Sequence, residues 1–415
     1  MNDRLRPGLL SLPHPAAVFG QYQRGDSLFS SPTRTLLAHG GGSALPPYHG
    51  NDLARHAQAL LQQARASHAT LPCLIGALPF LPDQPAHLLI PEHVSMATGP
   101  ATILPPSGPA PAGALQCLQM LPEPQVFRQN VVRALQRIAA GDLEKVVLAR
   151  SLRLQTRVNL PALLQQLGAR NHEGYTFALD LGGDAGRTLI GASPELLLSR
   201  QGLEIISRPL AGSIPRSQNM HEDQRRAQAL LASAKDRREH ALVVDAVFAA
   251  LRPYCHHIEV RLASTLQATP TMWHLGSEVR AQLLDPAINA LELALALHPT
   301  PAVCGHPMQA ARDFILGREG FDRNMYAGLA GWMDADGDGE WAVTLRCAEV
   351  DATHATLYAG AGIVAGSDPA LELLETSAKL RTMLQALGLE SQLGLAHEQR
   401  QNPEQQQDDL QEQAA

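Results

Sequence analysis

Lys145, Glu195, Glu239 and Glu375 each stand inside or against an apolar run, in GDLEKVVLAR, GASPELLLSR, DRREHALVVDA and LELLETSAKL. Apolar neighbours draw such residues inward, and an isolated buried charge is too costly to keep without a partner or a task. Lys145 precedes Val146, Val147 and Leu148 at the start of a predicted strand. Desolvation disfavours an ammonium, so a lysine in this setting is a candidate base. Glu195 follows Ser193 and Pro194 and opens the run Leu196 to Leu198. A carboxyl among leucines holds its proton toward neutral pH, as a general acid must. Together the two make an acid and base pair tuned from opposite sides. Read singly, each also fits a plainer role, a snorkelling strand-end lysine and a turn glutamate.

Glu239 falls on a predicted helix beside His240, while Glu372 and Glu375 are three apart on one face of a late helix. Carboxylates from two helices, with no soft ligand nearby, suit a hard cation such as Mg²⁺ that also holds an anionic substrate. Solvated helix faces are the alternative for each glutamate alone. SRPLAGSIPR and YAGAGIV read as loops, where Gly212, Ser213, Gly360 and Gly362 let backbone N–H groups approach an anion. Arg346 lies inside the strand-like AVTLRCAEV and calls for a carboxylate partner, from the protein or from a substrate. DADGDGE imitates half of an EF-hand loop, but Leu345 stands where the bidentate glutamate belongs, so it reads as a hairpin turn.

The elements that must position these residues are mixed. From Met1 to about Pro122 the chain is rich in Pro, Gly, Ala and Ser and reads as strands and loops with one helix near Asp52 to Ser67. FRQNVVRALQRIAAGD then reads as a helix feeding the strand KVVLA. Further strands are expected at Thr176–Leu181, Thr188–Gly191, Glu195–Ser199, Leu203–Ser207, Ile258–Leu262, Thr271–Val279, Tyr326–Met333, Glu340–Cys347 and Thr356–Ala359. Paired helices are expected over His221–Leu251, with others at Ala287–Leu297, Met308–Leu316 and Pro369–Leu387. The sequence thus divides into a strand- and loop-rich part (1–122), a catalytic region (123–390) and a polar, Gln-rich tail (391–415) too poor in apolar residues to order itself. The fold class is α/β in the broad sense, α+β, with many strands.

With 33 Lys and Arg against 40 Asp and Glu, a net charge of −7 and no basic run, the chain lacks the footprint of a nucleic-acid or anionic-membrane binder. Its five cysteines are widely spaced without a C-x-x-C pair, which fits a reducing cytoplasm. There is no signal-type segment and no run long enough to span a membrane. A cytoplasmic enzyme acting on a small molecule, and a monomer, is expected.

Taken in order, EKVVLAR, GASPELL, RPLAGSIPR, SAKDRREH, LHPTPAVCGHP, GFDRNMYAGLAGW, GDGEWAVTLRCA and YAGAGIVAGSDP resemble the chorismate-utilising enzymes over roughly Phe127 to Leu389, and within them the isochorismate synthases of catecholate siderophore pathways. The resemblance implies one large domain in which a two-layered, antiparallel-rich sheet is wrapped by helices, with Mg²⁺ and chorismate in a cleft. It implies that Lys145 activates water for attack at C2 and that Glu195 protonates the departing C4 hydroxyl. Glu239 and Glu375 would hold Mg²⁺, with Glu372 and Glu144 as further members of the metal region. Arg346, Gly360 and Lys379 would serve the anionic substrate, Gly212 and Ser213 would offer donors, Ala302 would shape the pocket, and His274 would lie near the leaving group.

Aminating relatives carry threonine at the position of Ala302, and the aminodeoxychorismate type a nucleophilic lysine at that of Ala211, so water is the implied nucleophile here. The activity expected is an Mg²⁺-dependent isomerase. Alternatives are a salicylate synthase that also eliminates pyruvate, a menaquinone-pathway isochorismate synthase, and a non-catalytic metal- or anion-binding protein on the same fold.

Overall fold

The computed structural model describes residues 14–46, 50–67, 72–99, 102–106, 108, 111–183 and 186–390, so the tail at 391–415 lies outside the described residues. Strands are β1 Ser27–Ser30, β2 Arg34–Ala44, β3 Cys73–Leu78, β4 His87–Thr98, β5 Cys117–Leu121, β6 Lys145–Gln155, β7 Tyr175–Gly182, β8 Arg187–Ser193, β9 Leu196–Gln201, β10 Glu204–Arg208, β11 Leu210–Pro215, β12 Cys255–Ala268, β13 Met272–Leu283, β14 Gly305–His306, β15 Leu329–Asp334, β16 Gly339–Val343, β17 Cys347–Val350 and β18 His354–Val364. Helices are α1 Pro15–Gln21, α2 Gly50–Ala66, α3 Pro124–Ala139, α4 Leu160–Gly168, α5 Met220–Ala232, α6 Ala234–Leu251, α7 Ala290–Leu297, α8 Met308–Arg318 and α9 Pro369–Leu387.

Every strand pairing is antiparallel, and the pairings link into one ladder. From β5 it runs through β6, β18, β17, β8, β7, β1, β2 and β4, then through β3, β15, β16, β9, β10, β13 and β12. Strand β14 adds beside β6, and β11 continues along β13 from where β10 leaves it. Strands on both sides of residue 122 therefore share one sheet. The side-chain period of two divides its faces. Leu36, Phe177 and Leu189 enter a core that joins strands from both halves of the ladder. Their neighbours Leu37, Ala178 and Ile190 pack outward with Leu163 of α4 and Leu384 of α9. This is the expected two-layered, antiparallel sheet with helices outside.

Two helices carry acidic site residues, and their ends are locally encoded. Ser233 accepts a hydrogen bond from the Asp236 N–H and starts α6, placing Glu239 in its second turn. Asp368 accepts from the N–H groups of Ala370 and Leu371, Pro369 opens α9, and Gly388 ends it at φ 75°. No described helix is long and apolar enough to cross a membrane.

Three expectations are corrected. SRPLAGSIPR and YAGAGIV are not loops, because their glycines lie in β11 and β18. Gly212 takes φ 79° at an irregularity in the β11–β13 register, whereas Gly360 lies in regular pairing opposite Ala149 and Gly362 opposite Val147. Arg346 is not inside a strand. It sits at φ 46° in the break between β16 and β17, which turns its side chain out of the ladder. The short helix α1 was not anticipated, while DADGDGE is the expected turn of the β15–β16 hairpin.

Candidate active site

A cavity of about 620 Å³, its open mouth included, lies where β6 and β18 face β11 and β13. Val147 and Gly360 line one side, Gly212, Ser213 and His274 the other. Glu195 enters from just before β9, Ala302 from the turn before β14, Glu239 from α6, and Glu375 and Lys379 from α9.

Lys145 is fully buried and lies behind this lining. Its Nζ is 2.9 Å from Glu239 Oε1, an ion pair whose alignment leaves the ammonium without a hydrogen-bond acceptor. Gly362 permits the arrangement. A Cβ there would overlap Glu239 Oε1 and come within 3.1 Å of Lys145 Cε.

Glu195 is 2% exposed. Burial raises its carboxyl to about 7, outweighing the Leu210 N–H and the charges of Lys145, Arg346 and Lys379, which favour the ionised form. The group can thus hold or release a proton near neutrality.

Arg346 is 7% exposed, and among the described residues no carboxylate lies within ion-pair distance of it. Its Nη2 donates to His274 Nε2 at 2.9 Å, while its Nε has no partner. A histidine accepting at Nε2 carries its proton on Nδ1. Burial, then Arg346 and Lys379, hold His274 well below the ordinary range, so its ring is neutral. A buried guanidinium with spare donors and no counter-ion is a receptor for an anion.

On α9, Lys379 donates to Gly360 O at 2.8 Å and to Glu375 Oε1 at 2.5 Å, and Ser213 Oγ donates to the same carboxylate at 2.9 Å. Against burial, these bonds hold Glu375 below the usual carboxylate range. Glu372 sits behind the lining, 2% exposed, its carboxyl pushed up by burial and by the charge of Glu375 despite Lys235 at 2.9 Å. Each of the three glutamates is thus met by one lysine. Among the described residues no three His, Cys, Asp or Glu side chains converge as a ready metal cage.

The structure brings together every expected site residue except Glu144. That side chain is 60% exposed and lies near His306. It directly precedes Lys145, and neighbouring residues of an extended segment point to opposite faces, so burying one turns the other to solvent. Sequence reasoning missed Lys235, whose spacing of four from Glu239 on a helix was the available signal. It also missed Tyr358, which stacks on Tyr326 at 5.1 Å and 8° to form one wall.

A family model described as chorismate binding enzyme matches residues 106–388. The chain belongs to the chorismate-binding enzyme family. Within that family it is 48% identical over 380 residues to the isochorismate synthase DhbC of Bacillus subtilis, covering 89% of this chain and 95% of the relative. It is 41% identical to the vibriobactin-specific isochorismate synthase of Vibrio cholerae, over 89% of this chain and 93% of that one. The solved structure of DhbC from Bacillus anthracis superimposes with a TM-score of 0.85 at 44% identity, covering 90% of this chain and all of the other. In this chorismate-binding enzyme Glu195, Arg346, Glu239 and Glu375 stand on the walls of one cavity, within the matched region.

Proposed function

We propose that this chain isomerises chorismate to isochorismate, in a pathway that makes 2,3-dihydroxybenzoate for a siderophore, and that it does so in the cytoplasm as a monomer. The observation that carries the reading is Arg346, a buried cation without a carboxylate partner among the described residues, sharing a cavity with a Glu195 carboxyl that burial pushes up to about 7. A dianionic substrate supplies the missing counter-charge. The leaving hydroxyl needs the proton that Glu195 holds.

In the reaction Lys145 acts as the neutral amine, its own proton resting on Glu239 Oε1, 2.9 Å away. A water oxygen bonds to C2 while the water proton passes to Lys145. The ring double bonds shift, the C4–O bond breaks, and Glu195 protonates the departing oxygen. One water enters and one leaves, so the product is an isomer. Ala211 and Ala302 present only methyl groups to the cavity, which supports water over an amine as nucleophile.

Glu239 and Glu375 fit Mg²⁺. They are oxygen donors on one cavity wall, and Mg²⁺ commonly takes one or two carboxylates together with water and substrate. Glu372 lies behind the lining with its carboxyl pushed up by burial and by the charge of Glu375, and Ser213 orients Glu375. When bound, the ion would neutralise and orient the ring carboxylate of the substrate.

The test is to incubate the protein with chorismate and Mg²⁺, with and without a chelator, and to separate the products by chromatography. Isochorismate alone supports the proposal. Salicylate with pyruvate makes the chain a salicylate synthase, and no turnover leaves a binding protein.

A further inference from the structure

Arg323 lies outside the cavity, 3% exposed. Its guanidinium donates to Val303 O at 2.8 Å, to Val147 O at 2.8 Å, and to Glu319 at 2.8 and 2.5 Å. Glu319 in turn accepts the Ala149 N–H at 2.7 Å. The guanidinium also stacks 4.5 Å over the Phe80 ring, and the Arg323 carbonyl accepts the Tyr326 N–H at 2.8 Å. Val147, Val303 and Tyr326 all face the cavity. One buried ion pair therefore holds three lining residues from behind. Two belong to segments that also meet through the Val147 N–H to Cys304 O bond at 2.8 Å and, just beyond it, through the short β14–β6 pairing.

We propose that Arg323 is a positioning residue for the reaction: its planar fork fixes the spacing between the strand that begins at Lys145 and the turn that carries Ala302. The inference rests on the isomerase reading above. A guanidinium holds several acceptors in one plane, which an ammonium cannot reproduce. Reaction geometry is sensitive at this scale, a displacement of about 1 Å costing on the order of 100-fold in rate. Arg323 does not touch the substrate cavity and acts only through the backbone of Val147 and Val303 and the placement of Tyr326.

Two variants test it. Glu319→Gln with Arg323→Met removes both charges together, so neither is left buried alone, and the glutamine still accepts the Ala149 N–H. Arg323→Lys keeps the charge pair and loses the fork. Melting temperature and steady-state kinetics with chorismate are measured for both beside the wild type. Melting within a few degrees of wild type, with kcat lowered about 10- to 100-fold and KM changed less, is expected for at least one variant. Wild-type kcat in every variant that folds overturns the role of Arg323. A wild-type protein that makes no isochorismate overturns the functional reading instead, and that control separates the two failures.

Discussion

Lys145 Nζ and Glu239 Oε1 lie 2.9 Å apart at the inner wall of the cavity, one at the first residue of β6 and the other in α6. Both side chains are withdrawn from water, so each is the other's main compensation. Removing one partner of a buried pair costs about 3–5 kcal/mol, because the remaining charge is left uncompensated. Lys145→Met and Glu239→Gln are each expected to lose stability on that scale, and the double variant much less than the sum. Urea denaturation of the four proteins checks this double-mutant cycle. All three variants should lose turnover.

Glu195 sets a pH dependence whose sign follows from its raised carboxyl. With an ordinary value of 4.5 and a folded value of about 7, the folded chain retains a proton that the unfolded chain has released between those limits. The stability linked to this group is fully present below pH 4.5 and lost as pH rises through 7. The acid required for turnover is lost on the same rise, so kcat should fall above pH 7. Glu195→Gln should lower kcat by about 10²- to 10⁴-fold, the usual share of a general acid, and remove the group's contribution to both profiles. Rate and melting profiles from pH 5 to 9 provide the check, and an unchanged rate would remove Glu195 from the mechanism.

Arg346 makes a different prediction, because among the described residues no carboxylate is ion-paired with it. Arg346→Gln deletes a buried cation without stranding an anion, so its melting temperature should stay near or above that of the wild type. Hydrogen bonds to charged groups contribute about 1.5–3 kcal/mol, which corresponds to a KM for chorismate raised roughly 10- to 100-fold. Calorimetric titration with a non-reacting analogue would register the loss as weaker binding with the fold intact.

Gly362→Ala tests the wall in front of Lys145. The added methyl would meet the flexible end of Glu239, which can move, and β18 would keep its pairing with β6. The expected outcome is a folded protein with Glu239 displaced from Lys145, turnover reduced at least about tenfold, and a higher Mg²⁺ requirement, since ligand orientation governs metal affinity. Turnover as a function of Mg²⁺ concentration measures it.

What the sequence revealed was local. Asp368, Pro369 and Gly388 mark the ends of α9 to the residue, because capping is a property of a few adjacent side chains. Lys145 was legible as the head of a strand because the apolar run begins just after it. The glycines of β18 were misread because their purpose is not local: they make room for the Tyr326 hydroxyl and the Glu239 carboxylate, arriving from distant segments. The left-handed turn at Arg346 left no glycine or asparagine to announce it. Glu144 was placed in the metal region because it adjoins Lys145 in the string, and its side chain turns to solvent instead.

The pairing of β6 with β18 sets Lys145 against Val364, and β3 is likewise joined to β15. Loop closure over such separations must be paid before the contacts reward it. As the chain leaves the ribosome, β6 emerges with its lysine long before β18 exists to cover it, and the carboxylates of α9 follow later still. The pocket is therefore among the last parts of the molecule that synthesis can complete, and a chain interrupted before Val364 would carry Lys145 and Glu195 without a place for them to meet.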